Sequence, residues 1–241
     1  MPKSRFTEIY RDIKKKVEEG DYLYGELLPS ENTLVGIYDC SRNTVRRALG
    51  ELAEEGYIQA VHGKGVQVIY QPTDKTAFTV GGIESFHETS QRNDLKAVTK
   101  VVCFENIQAE GTFARVSGFP EGTSVLHIQR VRNIGGKNLI LDDNFFLAEL
   151  VQGLTPEIAA VSVYAYLEDV LGMQIVTSKR RITVERAGEN DRCLLDLGSY
   201  DCLAVVTSNT FNADGVMFEY TQSRHHPDYF SFQDTATRRK S

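Results

Sequence analysis

The chain is poor in the residue patterns that build metal centres and disulfide frameworks. Its four cysteines, Cys40, Cys103, Cys193 and Cys202, are scattered with no CxxC spacing, and of its five histidines only His225 and His226 stand close together. Adjacent residues on a strand point to opposite faces, so neither a zinc site nor a resident cofactor is expected, and the thiols should be reduced. No stretch approaches the ~18 consecutive apolar residues of a membrane span. The opening MPKSRF lacks the apolar core of a secretion signal, so the expectation is a soluble, cytoplasmic protein with no membrane partner. No nucleophile stands near a base and no cofactor motif occurs, which argues against an enzyme.

Positive charge is also in short supply, with 27 Lys and Arg against 33 Asp and Glu. Residues 1–70 carry ten basic against eleven acidic side chains, and the remaining 171 carry seventeen against twenty-two. A phosphate responds to the charge within a Debye length, ~8–10 Å at physiological salt, so clusters count for more than totals. Basic residues do cluster, at Lys14 to Lys16, from Arg42 to Arg47, and at Lys64.

The segment SRNTVRRALGELAEE, residues 41–55, is the most informative. Ser41 is an N-cap, and Val45, Ala48, Leu49 and Leu52 recur at helical spacing, predicting an amphipathic helix. Its other face offers Arg42, Asn43, Thr44, Arg46 and Arg47 in the first two turns, the composition of a helix whose N-terminal half meets DNA. A preceding shorter helix is expected in LLPSENTLVGIYD, capped by Ser30, and a first helix over Ser4 to Glu19 with Phe6, Ile9, Ile13 and Val17 on one stripe. After Gly56, YIQAVHGKGVQVI alternates around a glycine-rich tip and predicts a hairpin. The order is that of a winged helix-turn-helix over residues 1–70.

Gly25, Leu28, Pro29, Ser30, Glu31 and Leu34, followed by Ser41, Arg42, Thr44, Val45, Arg46, Ala48, Leu49, Leu52, Gly56, Ile58, Gly63 and Gly65, resemble the DNA-binding signature of the GntR superfamily of bacterial regulators. The resemblance implies operator contacts from Asn32, Ser41, Arg42, Thr44 and Arg46, with His62, Gly63 and Lys64 at the wing tip.

YQPTDKTAFTVGG then reads as a linker, assigned to residues 71–82, and residues 83–241 as a second domain. VTKVVCFENIQA, SVLHIQRVRNI, KNLILDDNFFL, QIVTSKRRITVERA, CLAVVTSNTFN and VMFEYTQSRHH are strand candidates, with helices at Val163 to Leu171, capped by Ser162, and Asp191 to Leu197. No sequence repeat is evident, and the fold class is α+β on an antiparallel sheet. At a period of two, Leu126, Ile128, Arg130 and Arg132 share one face, so two guanidiniums extend an apolar stripe. Such a pair is costly unless Asp142 and Asp143 on the next strand neutralise it or an anionic ligand does. Glu219, among aromatics in FEYTQSRHHPDYFSF, either accepts sugar hydroxyls or is a rim carboxylate.

The ESF near residue 85, the RVR strand, the SVY helix start and the FEY to DYFSF ending resemble the effector domain of the HutC branch of GntR regulators, of chorismate-lyase-like (UTRA) fold. That resemblance implies a phosphate held by Ser85, Phe86, Arg130, Arg132, Ser162 and Tyr164, and a sugar held by Asp142 and Glu219. QRNDLKAVTKVV, SKRRITVERAGENDRCLLDL and the ending SRHHPDYFSFQDTATRRKS are most similar to trehalose operon repressors. The implied protein is a homodimeric repressor that binds double-stranded operator DNA and responds to a sugar phosphate, trehalose 6-phosphate. N-acetylglucosamine 6-phosphate or a non-sugar acid is the alternative effector, and a small-molecule lyase the alternative class.

Overall fold

A computed structural model describes residues 5–71, 83, 86, 88, 90 and 96–232. They belong to two compact units that divide between Asp74 and Lys75. Beyond Gln71 the expected linker lies outside the described residues, as does Ser85. Among the described residues no helix is long and apolar enough to cross a membrane.

In the first unit α1 spans Arg5–Glu19, α2 Glu31–Tyr38 and α3 Arg42–Glu54, and a hairpin follows, β1 Ile58–Val61 with β2 Gly65–Val68. The four-residue spacing of Ile9, Ile13 and Val17 places all three on one side of α1, where they meet Leu34, Val45, Ala48, Leu49 and Leu52 in a single buried cluster. Ser30 and Ser41 cap α2 and α3 by accepting from the Thr33 and Thr44 amides, both at 3.2 Å. The turn between them is tight because Asp39 takes a left-handed conformation, φ 45°, which a short polar side chain tolerates. In the wing Val61 pairs with Gly65, leaving His62, Gly63 and Lys64 as the tip, with Gly63 at φ 73°. Apolar side chains thus fix the inner sides of α1 and α3 and leave the outer side of α3 and the tip to solvent.

In the second unit six strands form one antiparallel sheet: β3 Ala97–Gln108, β4 Ser124–Ile134, β5 Lys137–Leu147, β6 Ile175–Arg186, β7 Cys202–Asn212 and β8 Met217–His225. Their order is β3-β4-β5-β8-β7-β6, so the two halves meet along β5 and β8. Each half is a strand, a two-residue link, a short helix and a hairpin. The helices are α4, Gly111–Ser117, after β3 and α7, Glu189–Leu194, after β6. The Ala109 and Ala187 amides make matching 2.8 Å bonds to the carbonyls of Thr123 and Asp201. A structural repeat therefore exists where the sequence shows none.

Between the halves, α5 (Pro156–Val161) and α6 (Val163–Ala165) run into a π-helical turn at Tyr166–Val170. Ala159, Val163 and Leu167 pack on Leu126, Ile128, Phe146 and Phe218. On the opposite side of the sheet, Val131, Leu141, Leu203 and Val205 pack with Leu195 and Leu197 that follow α7. The helix expected at Asp191–Leu197 starts earlier, at Glu189, because the Asp191 carboxylate accepts from the Gly188 amide at 2.8 Å and so sits within the first turn.

Candidate functional site

The first candidate surface is the outer side of α3. Arg42 donates to the Asn32 side chain, and Arg46 Nε donates to both Glu31 oxygens, at 2.9 and 3.2 Å. Glu31 also lies 3.9 Å from Arg42. Asn32, Arg42 and Arg46 are thereby brought together, with Ser41 and Thr44 joined by a 2.8 Å hydroxyl contact at the start of the helix. Arg47 lies on the other flank, its guanidinium 4.2 Å from the centre of the Phe6 ring. Asn43 occupies the first exposed turn, and His62, Gly63 and Lys64 form the separate wing tip. Sequence reasoning left out Glu31 as a partner of the arginines: it stands on α2, ten or more residues away, and nothing in the α3 segment announces it.

The second candidate is a row of buried polar side chains on the sheet face beneath α5 and α6. Strand register puts Arg130 and Arg132 of β4 beside Asp142 and Asn144 of β5, which continue to Ser223, Thr221 and Glu219 of β8. Arg132 Nε donates to Asp142 at 2.9 Å and Nη1 to Thr99 at 2.6 Å, while the guanidinium lies 4.4 Å from the Phe86 ring centre. Ser223 donates to the other Asp142 oxygen. Asp142 is therefore the counterion for Arg132. Asp143 is not, contrary to the paired-aspartate expectation: strand alternation turns it to the opposite face, where it accepts from Gln129 and bonds His127.

Arg130 is in a different position. Its Nε and Nη2 donate to Asn144 Oδ1, at 3.1 and 2.7 Å, and Nη1 to the Ala159 carbonyl at 3.3 Å. Among the described residues no carboxylate forms an ion pair with it. Burial, reinforced by the positive charge of Arg132, pulls its pKa down to about 9. The structure holds a buried cation whose hydrogen-bond acceptors are all neutral, with Asp142 and Glu219 near enough to act on it through their charge but not ion-paired with it, so that an incoming anion could still meet it directly.

Glu219 is 3% exposed, so the rim reading is wrong. It accepts from the Tyr164 hydroxyl at 2.5 Å and from Thr221 at 2.9 Å, because β8 is an interior strand and α6 closes over it. Burial and the Glu219 charge raise the Tyr164 pKa well above its ordinary value. Ser162 caps α6 by accepting from the Ala165 amide at 3.2 Å. Sequence reasoning missed Asn144, Thr221, Ser223 and His225 on this face; their period-two alternation with Asp142 and Glu219 was the available signal.

Two expected outcomes follow from these burials. Arg132→Gln leaves the Asp142 carboxylate buried without its cation and should cost about 3–5 kcal/mol in urea unfolding. His225, 7% exposed, has its pKa pushed down to about 4 by burial, which outweighs the pull of Asp142. Its folded pKa lies below the unfolded value of about 6.5, so its contribution is complete above about pH 6.5 and is lost as pH falls toward 4. The loss should total about 3 kcal/mol. Unfolding of His225→Gln followed from pH 7 to 4 should show a correspondingly shallower decline.

Residues 6–68 match the bacterial regulatory proteins of the gntR family, and residues 92–231 match the UTRA domain. The chain belongs to the GntR family. Its combination of a GntR helix-turn-helix with a UTRA domain is the HutC-type architecture, and such a pair makes it a DNA-binding transcriptional regulator with a small-molecule effector domain. It is 38% identical to the HTH-type transcriptional regulator TreR of Bacillus subtilis over 240 residues, covering 100% of both chains. The effector-binding domain of the B. subtilis trehalose repressor aligns with 59% of this GntR regulator and 99% of that chain, at 35% identity and a TM-score of 0.54. The whole-chain fold is matched by the possible transcriptional regulator YydK of B. subtilis, at a TM-score of 0.79 and 21% identity, with 97% and 100% of the two chains covered.

Proposed function

We propose that this GntR regulator is a cytoplasmic repressor that binds a palindromic operator as a homodimer and is released when trehalose 6-phosphate enters the sheet domain. The reading assigns regulation and not turnover, with residues 1–70 for DNA, 71–82 as linker and 83–241 for the effector. A single winged unit reads few base pairs, whereas a symmetric pair addresses half-sites roughly 34–36 Å apart. DNA contacts are assigned to Asn32, Ser41, Arg42, Asn43, Thr44, Arg46 and Arg47 on the helices, and to His62, Gly63 and Lys64 at the wing.

The observation that carries the effector half is Arg130, a buried guanidinium that has amide and carbonyl partners and no ion-paired carboxylate among the described residues. A phosphate is assigned to Arg130, Arg132, Phe86, Ser85, Ser162 and Tyr164, and sugar hydroxyls to Asp142 and Glu219. The likeness to the trehalose repressor supports trehalose as the sugar in this reading. Thermal unfolding with a panel of ligands tests it: at a hundredfold excess over Kd a specific ligand stabilises by about 2.7 kcal/mol. Trehalose 6-phosphate should do so, with trehalose and inorganic phosphate far weaker. Equal stabilisation by trehalose, or stabilisation only by N-acetylglucosamine 6-phosphate or a non-sugar acid, would overturn the assignment.

A further inference from the structure

On the sheet face opposite the proposed effector site, three potential ligands from two strands converge. Cys103 Sγ lies 3.6 Å from His127 Nδ1 and 3.5 Å from Glu105 Oε1, and the same Oε1 lies 3.5 Å from His127 Nδ1. The three atoms outline a triangle. Zinc bound tetrahedrally at about 2.3 Å from sulfur and about 2.0–2.1 Å from nitrogen and oxygen requires ligand separations of about 3.5, 3.5 and 3.3 Å. The triangle already present has nearly those edges.

The surroundings fit the same chemistry. His127 Nε2 is 2.9 Å from Asp143 Oδ1, which also accepts from Gln129 at 3.0 Å, and Phe145 stacks on the imidazole at 4.4 Å between ring centres. With Nδ1 facing Cys103 and Glu105, a carboxylate on Nε2 is the outer arrangement usual for a metal-bound histidine. Glu105 and His127 are register partners, and a bulge between Val101 and Cys103 turns Cys103 to their face and away from that of Val101. From Cys103 on the register is regular, so Cys103, opposite Gln129, and Glu105, opposite His127, share one face by strand alternation.

We propose that Cys103, Glu105 and His127 form a site for a divalent zinc-class ion, bound by thiolate, carboxylate and imidazole, with the fourth position open to solvent. Binding releases the thiol proton to solvent and involves no oxidation. The choice of metal follows from the mixed S, N and O donor set in tetrahedral geometry. The site is independent of the effector assignment, since Asp143 and His127 point away from Asp142 and Arg132.

The full-length protein, reduced and titrated anaerobically with Co2+, tests the proposal. One equivalent should produce a thiolate-to-cobalt charge-transfer band together with the intense visible bands of tetrahedral cobalt, and Zn2+ should displace it. Cys103→Ser should abolish the charge-transfer band, whereas Cys193→Ser, at an exposed thiol, should keep it. Asp143→Asn should weaken the metal affinity by about 10- to 100-fold. Glu105 is exposed, so Glu105→Gln keeps the fold and should also weaken binding, which separates loss of the site from loss of structure. Absence of the band at one equivalent in the parent, or its survival in Cys103→Ser, would overturn the proposal.

Discussion

Arg46→Ala is expected to abolish operator binding while leaving the fold and the effector response unchanged. The Arg46 side chain is 61% exposed and its partner is Glu31, so its removal takes away no core contact. The stability change should stay within about 0.5 kcal/mol. A bidentate arginine contact to a base is worth about 1–3 kcal/mol. In the proposed symmetric dimer each substitution is made twice, so the loss should reach about 2–6 kcal/mol, from roughly thirtyfold to more than ten-thousandfold in affinity. Fluorescence anisotropy with labelled operator reads this directly. A variant that also failed to bind effector would contradict the separation of roles between the two units.

Arg130→Gln should give the converse phenotype, a repressor that binds operator normally and ignores its inducer. Glutamine keeps an amide donor for Asn144 while removing a charge whose pKa burial and Arg132 have already depressed to about 9. Because Arg130 forms no direct ion pair among the described residues, unfolding of the free protein should change far less than in Arg132→Gln, the change reflecting release of a buried charge set against the lost attraction to Asp142 and Glu219. Arg132→Gln differs, since it strands Asp142. Charge-assisted hydrogen bonds contribute about 1.5–3 kcal/mol each, so losing the Arg130 charge should weaken a phosphorylated effector by about ten- to a hundredfold or more. Isothermal titration measures that loss. Unchanged affinity would move the phosphate elsewhere.

The contrast between those two arginines explains what the sequence made visible. A period-two stripe, Leu126, Ile128, Arg130 and Arg132, was enough to place both guanidiniums on a buried face, because strand alternation is a local property. Which of them was already neutralised depended on register between β4, β5 and β8, which pairs Arg130 with Asp142 across the strands while its side chain reaches Asn144. All six sheet strands were legible for the same local reason, their β-branched and aromatic alternation. Helices α4 and α5 were not: at seven and six residues they are too short to show a helical period, and α7, also six residues, was expected but placed two residues late. The Cys103, Glu105 and His127 cluster was invisible because it joins two strands, and no spacing in one strand encodes the neighbour's register. The winged unit was the most readable part, since its caps, turn and wing tip all lie within one contiguous segment.

Coupling between the units is the central claim, and linkage requires it to be reciprocal for equilibrium binding. The most direct measurement is operator binding by the full-length protein at fixed salt, titrated with and without saturating trehalose 6-phosphate. The account predicts a clear rise in operator Kd with the effector and a weakening of effector affinity by the same factor when operator is present. An operator Kd that trehalose 6-phosphate leaves unchanged, in protein that demonstrably binds the sugar, would contradict it.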